Sequence, residues 1–164
     1  SKYRNHGMVD RDHIDFWGVN MRLQPLQSIV ADVGLTKLNN TIAKRNRNAS
    51  ILDKGLKKLT DLVNVPQRMP ENIETFALYM ATFHKRDELK KFLIINDIEV
   101  KIHYPIPLHK QKAAQSTCLF NPQKLKNVQK QSETLLTIPV HQFLNDDHMH
   151  FILKKIYEFY GKQY

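Results

Sequence analysis

Residues 98–109 read Ile-Glu-Val-Lys-Ile-His-Tyr-Pro-Ile-Pro-Leu-His and join a strand-like segment to a rigid loop. Apolar residues alternate over 98–102, which predicts a half-buried β-strand. Pro105 and Pro107 then fix φ and remove two backbone donors, so the segment cannot continue to pair as an ordinary strand. We therefore expect a stiff loop over 103–109 that presents its histidines and tyrosine to a ligand.

Hydrophobic periodicity and turn residues predict the other elements. The predicted helices are a short one at 25–33, interrupted near Gly34, a long one over 35–59, and others that begin at Arg86, Pro122 and Asn145. Continuous apolar runs predict strands at 75–83 and 136–140, and a proline-bounded loop is predicted over 66–70, after Val63-Asn64-Val65, which is left unassigned. The order of these elements predicts an α+β fold, in which helices cover a mainly antiparallel three-stranded sheet.

Composition excludes several classes of protein. The 164 residues contain no apolar run of the roughly 20 residues that cross a bilayer, and residues 1–13 lack the apolar stretch of a signal peptide, so we expect a soluble, cytoplasmic protein without membrane partners. A lone cysteine, Cys118, excludes an internal disulfide and argues against a thiolate zinc site. The net charge of +9 is spread along the chain, and its densest part, 44–47, is interpreted as a solvated helix face rather than a nucleic-acid site.

Several segments, taken together and in order, resemble the carboxy-terminal part of the DegT/DnrJ/EryC1/StrS family of sugar-nucleotide aminotransferases. The resemblance covers nearly the whole chain. The matching segments are Arg4-Asn5-His6-Gly7, Gly18-Val19-Asn20-Met21-Arg22-Leu23, Lys44-Arg45, Leu78-Tyr79, Arg86-Asp87-Glu88-Leu89, residues 98–109, Leu136-Thr137-Ile138-Pro139-Val140-His141 and Glu158-Phe159-Tyr160.

The resemblance implies an enzyme of fold type I that uses pyridoxal 5′-phosphate, usually as a homodimer with residues of both subunits in each active site. Such enzymes move an amino group from an amino acid, typically glutamate, to a keto group on a nucleotide-linked sugar, for polysaccharide or deoxysugar biosynthesis. It assigns Asn20 to the cofactor phosphate. It assigns Arg22, His103 and Tyr104 to the sugar-nucleotide pocket of the neighbouring subunit.

The residues themselves leave alternatives open. Arg22 offers a planar set of donors for a diphosphate, but it could instead pair with a carboxylate at a helix start. His103 and Tyr104 can bind or stack on a sugar or base, or simply pack the loop. A metal site that uses His103 and His109 is the least favoured interpretation.

The same resemblance implies a division of the chain. Residues 1–33 are expected to belong to a large cofactor domain and the start of an interdomain helix, and residues 34–164 to the small carboxy-terminal domain. The lysine that binds the cofactor covalently and the acid that holds its ring nitrogen lie upstream in the family, so no catalytic residue is assigned here and the chain alone is expected to be inactive. The competing interpretation is a non-catalytic binding or dimerisation module of the same family.

Overall fold

The computed structural model describes residues 2–10, 12–111, 114 and 122–164. Cys118 and its neighbours over 115–121 lie outside the described residues. The chain divides into two compact units, Ser1–Asn39 and Asn40–Tyr164. The assignment of residues 1–33 to a larger domain stays a prediction.

In the first unit, two segments of chain run antiparallel. Backbone hydrogen bonds join His6 to Val19, Val19 to Tyr3 and Met21 to Arg4 at 2.9–3.1 Å, and an isolated bridge pairs Asn5 with Asn20. The segments Arg4-Asn5-His6-Gly7 and Gly18-Val19-Asn20-Met21-Arg22 are therefore neighbours.

Helix α1 spans Pro25–Leu56 without interruption, so the predicted break at Gly34 and the predicted end at residue 59 are both wrong. Proline is well suited to the first helical position, where its missing N–H costs nothing. A single glycine costs about 1 kcal/mol relative to alanine in a helix interior, which helix-forming neighbours on both sides can offset. Beyond Leu56 the chain turns through backbone hydrogen bonds from Lys58 and Leu59 to the carbonyls of Gly55 and Leu56.

The second unit contains a three-stranded antiparallel sheet in the order β1 (Val63–Asn64), β2 (Tyr79–Phe83) and β3 (Leu135–Ile138). Val63 pairs with Phe83, and Tyr79 pairs with Ile138. The predicted antiparallel sheet is thus confirmed, but its members differ from prediction, since β1 comes from residues that were not predicted as a strand.

The predicted strand at 98–102 is wrong. It forms only the isolated bridge between Lys101 and Thr137. Ile98 and Val100 are nevertheless buried, so their alternation reflects contact with the core rather than a paired strand.

Within the described residues, further α-helices of the second unit lie around the sheet: α2 (Arg86–Ile95), α3 (Lys126–Thr134) and α4 (Asp146–Phe159). Short 3₁₀ helices lie at Lys2–Arg4, Leu108–Lys110 and Pro122–Leu125. Asn145 caps α4 as predicted, because its side chain accepts from the backbone N–H of His148 while the His148 ring accepts from the backbone N–H of Asn145. Among the helices of the described residues, none is long and apolar enough to cross a membrane.

The core lies in the second unit, between the sheet and the helices. Its fully buried large side chains come from α1, α2, α4 and strands β2 and β3, whereas α3 contributes no buried residue. They are Leu52 and Leu56 of α1, Tyr79 and Phe83 of β2, Leu89 and Leu93 of α2, Leu136 and Ile138 of β3, and Met149, Leu153 and Ile156 of α4.

Candidate functional site

The first group of predicted site residues lies on one segment of the first unit. Asn20 and Arg22 are both exposed there, and the backbone bridge to Asn5 fixes the position of Asn20. The Arg22 Nε donates a 2.6 Å hydrogen bond to the side-chain oxygen of Asn5, an amide rather than a carboxylate. Within the described residues, no hydrogen bond is formed by the Asn20 side chain or by the outer nitrogens of Arg22.

Two glycines allow the two antiparallel segments of this unit to approach each other closely. A β-carbon at Gly18 would lie 2.4 Å from the Gly7 backbone nitrogen and 2.6 Å from the Tyr3 carbonyl oxygen. Gly7 has φ +72° and its β-carbon would overlap the Phe16 carbonyl oxygen at 1.7 Å. The backbone that carries Asn20 thus depends on glycine at both positions.

His103 is held in place from strand β3. Its Nδ1 is 2.8 Å from the hydroxyl oxygen of Thr137, and the half-buried ring packs edge-on against Tyr104 at 5.5 Å between centroids. Thr137 also exchanges two backbone hydrogen bonds with Lys101, at 2.8 and 3.3 Å. One residue of β3 therefore fixes both the chain that enters the loop and the imidazole at its start.

Tyr104 extends into solvent beside this histidine. Its side chain is 75% exposed, so it does not pack the interior of the loop. Residues 103–108 form one wall of a groove of about 510 Å³, and α3 forms the other wall through Val128, Gln131 and Ser132. The structure thus agrees with the expected outward-facing loop, in which the His103–Tyr104 peptide bond is cis.

A second groove, the Arg45 groove, lies on the other flank of His103. It has a volume of about 200 Å³ and is lined by Arg45, 76–79, Glu99, Lys101, His103 and 137–141. Arg45 is half-buried, although the sequence was interpreted as a solvated helix face at this point. His103 lines both grooves, which makes it the central side chain of the candidate site.

A partly buried polar cluster around Tyr79, which lines the Arg45 groove, was missed from the sequence. The Tyr79 hydroxyl donates a 2.6 Å hydrogen bond to Asp53, and Arg68 binds the same carboxylate through two nitrogens at 3.1 and 3.2 Å. Burial, helped by the bond to Asp53, raises the pKa of Tyr79 above its ordinary value. Arg68 also lies over the rings of Phe76 and Tyr79. These contacts fix the segment that leads into β2. The sequence contains no motif that predicts them.

Asn48 is a second structural residue that the sequence did not reveal. This α1 side chain is fully buried, and its amide nitrogen lies 3.1–3.4 Å from the carbonyl oxygens of Val140, His141 and Leu144. It holds the connection between β3 and α4, which forms one end of the Arg45 groove. Only its central position in a helix, where asparagine is a weak helix former, could have drawn attention to it.

Within the described residues, no group of three or more His, Cys, Asp or Glu side chains is arranged to hold a metal ion. The four predicted site residues fall into two groups, Asn20 with Arg22 in the first unit and His103 with Tyr104 in the second. Each group offers neutral or cationic hydrogen-bond donors, which suits phosphate and sugar oxygens.

Comparison with known proteins identifies the family of this chain. The sequence pattern of the DegT/DnrJ/EryC1/StrS aminotransferase family matches residues 1–157. The chain is 28% identical over 158 residues to a pleiotropic regulatory protein of Geobacillus stearothermophilus, covering 96% of this chain and 42% of that protein. It is 29% identical over 140 residues to the UDP-2-acetamido-2-deoxy-3-oxo-D-glucuronate aminotransferase of Pseudomonas aeruginosa, covering 85% of this chain and 37% of the relative.

The fold is shared with a solved enzyme structure. The S. venezuelae DesV structure in complex with a ketimine intermediate superimposes with a TM-score of 0.90 at 22% identity, over 99% of this chain and 43% of DesV. The predicted fold, that of part of a fold type I enzyme, is therefore confirmed, and the chain spans less than half the length of these relatives. The match over residues 1–157 shows that this chain belongs to the DegT/DnrJ/EryC1/StrS aminotransferase family, whose enzymes depend on pyridoxal phosphate.

Proposed function

We propose that this chain is the carboxy-terminal part of a nucleotide-sugar aminotransferase, which moves an amino group from an amino acid, glutamate, to the keto group of a sugar nucleotide. The enzyme is proposed to work as a homodimer, with this chain contributing to the neighbouring subunit's site. The observation that carries the proposal is the fixed position of His103, which is bonded to Thr137 at 2.8 Å and lines two grooves.

Each proposed role follows from the chemistry of the side chain. Asn20 donates its amide N–H to the cofactor phosphate, and its backbone bridge to Asn5 supports that placement. Arg22 carries a positive charge for the diphosphate of the sugar nucleotide, and Asn5 orients its guanidinium through Nε. His103 and Tyr104 bind the sugar or base by hydrogen bonds and ring contact.

The donor set of this chain fits the outer parts of such a site and leaves its reacting centre to other residues. Pyridoxal phosphate, when bound, supplies the electron sink for the reaction. No lysine of this sequence has the sequence context in which the family places its cofactor-binding lysine. We therefore expect that the isolated chain mixed with pyridoxal phosphate gives no borohydride-reducible absorbance band at one specific lysine.

Ligand titration tests the proposal directly. Wild-type chain is titrated with UDP-glucose and with dTDP-glucose and followed by amide chemical shifts, together with His103→Ala and the matched control His84→Ala, whose ring is exposed. Loss of two or more ligand contacts should weaken binding at least tenfold in His103→Ala, whereas His84→Ala should bind like wild type. Binding that is unchanged in His103→Ala, or no binding to wild type, contradicts the proposal.

A second candidate function is a non-catalytic dimerisation module of the same family. The observation in its favour is the exposed apolar side of the first half of α1, where Leu26, Ile29, Val30 and Val33 are all more than half exposed. Such a module would self-associate without binding either sugar nucleotide, so the same titration separates the two functions.

A further inference from the structure

Arg45 differs from every other arginine of residues 40–164 in its partners. The others each pair with a carboxylate, in the pairs Arg47–Asp146 at 3.1 Å, Arg68–Asp53 at 3.1 Å and Arg86–Asp87 at 2.7 Å. The only bond that the described residues offer Arg45 is from its Nε to the amide oxygen of Gln142, at 3.1 Å. Its guanidinium is therefore oriented but not neutralised, and both outer nitrogens keep their protons for a ligand.

The rest of the Arg45 groove favours an anion as well. Glu99 is the one carboxylate among its lining residues, and it lies 2.7 Å from the ammonium of Lys101, which offsets its charge. The imidazoles of His103 and His141 add further hydrogen-bonding groups. Among the residues that the structure describes, none forms an ion pair with Arg45 on this concave surface.

We propose that the Arg45 groove is an anion-binding subsite in which Arg45 is the charged anchor, so that a ligand held by His103 also places an anionic group on Arg45. This inference rests on the proposed function and extends it. A guanidinium binds a carboxylate or a phosphate through two parallel hydrogen bonds. Half-burial strengthens such a pair relative to an exposed one, because water screens it less.

Three parts of the reactants carry the required chemistry: the diphosphate of the sugar nucleotide, a carboxylate on an acidic sugar, and the carboxylates of the amino-acid donor. All three present oxygen anions of similar geometry to a guanidinium. The ligands of the experiment are therefore chosen so that each anion is varied by itself.

The test measures affinity by calorimetry at low ionic strength for the wild-type chain, Arg45→Met and the control Lys44→Met. Lys44 is exposed and adjacent in α1, so this control removes one charge without entering the groove. The probes are pyrophosphate, UDP-glucose, UDP-glucuronate and glutamate, with neutral uridine as a reference. Arg45→Met should weaken at least one anionic probe tenfold or more and leave uridine unchanged, and Lys44→Met should change every affinity less than threefold.

The pattern of loss identifies the anion. A loss for pyrophosphate and both sugar nucleotides assigns Arg45 to the diphosphate, a loss for UDP-glucuronate alone assigns it to a sugar carboxylate, and a loss for glutamate alone assigns it to the amino donor. Gln142→Leu keeps the charge but removes the acceptor that orients it. Its affinity for the same probe should lie between those of wild type and Arg45→Met, which a general effect of charge would not produce.

Two results overturn the inference. One is an affinity for every anionic probe that is the same in wild type and Arg45→Met, and the other is no binding of any anionic probe to wild type. If sugar-nucleotide binding then depends on His103 but not on Arg45, the proposed function stands without the subsite. If pyrophosphate or glutamate binding depends on Arg45 while His103→Ala has no effect on sugar nucleotides, the subsite stands and the proposed function fails.

Discussion

Gly55 of α1 lies so close to Leu153 of α4 that a β-carbon at position 55 would come within 2.6 Å of both Leu153 methyl groups and 3.1 Å of its Cγ. Leu153 is buried in the core and cannot move aside freely. In the same helix, a β-carbon at Gly34 would meet nothing within 4 Å. One substitution therefore has opposite consequences at two positions of α1.

Gly34→Ala should stabilise α1 by about 0.5–1 kcal/mol, because alanine loses less backbone entropy in a helix. Gly55→Ala makes the same gain but must overpack the contact with Leu153, at a cost of about 1–3 kcal/mol. Chemical denaturation should give Gly55→Ala a free energy of unfolding about 1–3 kcal/mol lower than that of Gly34→Ala. Equal stabilities would mean that α1 and α4 are not packed as closely as the structure has them.

Asn48→Ala should lower the free energy of unfolding by about 1–3 kcal/mol, since it removes the buried amide donor that the carbonyls of residues 140, 141 and 144 share. Asn40→Ala, at an exposed position of the same helix, is the control and should be neutral or slightly stabilising. Urea denaturation of the two variants checks this, and a neutral Asn48→Ala would contradict the structural role of the amide.

The raised pKa of Tyr79 predicts a loss of stability in alkali. An unfolded tyrosine has a pKa of about 10, so above this pH the unfolded state releases a proton that the folded state keeps. The contribution is fully present below about pH 10 and is lost as the pH rises further. Tyr79→Phe should therefore show a shallower decline in the free energy of unfolding between about pH 10 and 11.5 than wild type.

The control for this prediction is Tyr104→Phe, which alters an exposed ring and should follow the wild-type slope. Stability measured by urea denaturation at stepped pH gives both slopes. A Tyr79→Phe slope as steep as wild type would show that another group dominates the alkaline decline.

The exposed apolar side of α1 should make the isolated chain self-associate. Ile29 and Val33 lie one turn apart and are 61% and 51% exposed, so they form a continuous apolar strip with their neighbours. Replacing both with glutamine should shift the sedimentation coefficient toward that of the monomer. Ile95→Gln, at an 81% exposed position on α2, should leave the association unchanged, and equal effects of the two variants would argue against a specific role of α1.

The elements that the sequence predicted well are those whose local signals agree with their packing. Helix α4 has a capping asparagine, acidic residues in its first turn and an apolar stripe, and it forms as predicted. The sequence around 98–102 has an equally clear alternation, yet its residues pack against the core with a single bridge to β3. Alternation of apolar residues predicts which side chains are buried, but it does not predict whether the backbone forms hydrogen bonds with a neighbouring strand.

The residues of the candidate site also differ in how clearly the sequence marks them. His103 and Tyr104 stand out in the sequence as candidates because prolines and a family motif mark them. Arg45 could not be separated from Lys44 and Arg47, since the three share a charged stretch of helix. Only the fold shows that Arg47 pairs with Asp146 whereas Arg45 enters a groove. Residues whose role depends on distant partners, such as Asn48 with residues 140–144, have no signature of their own.

The hydrogen bond between Thr137 and His103 has a consequence for proton placement. A threonine hydroxyl can rotate to donate or to accept, so Nδ1 is satisfied whether or not it carries the proton. The remaining ring nitrogen, Nε2, can then act as donor in one tautomer and as acceptor in the other without movement of the imidazole. The same loop geometry can thus match ligands with opposite hydrogen-bonding patterns.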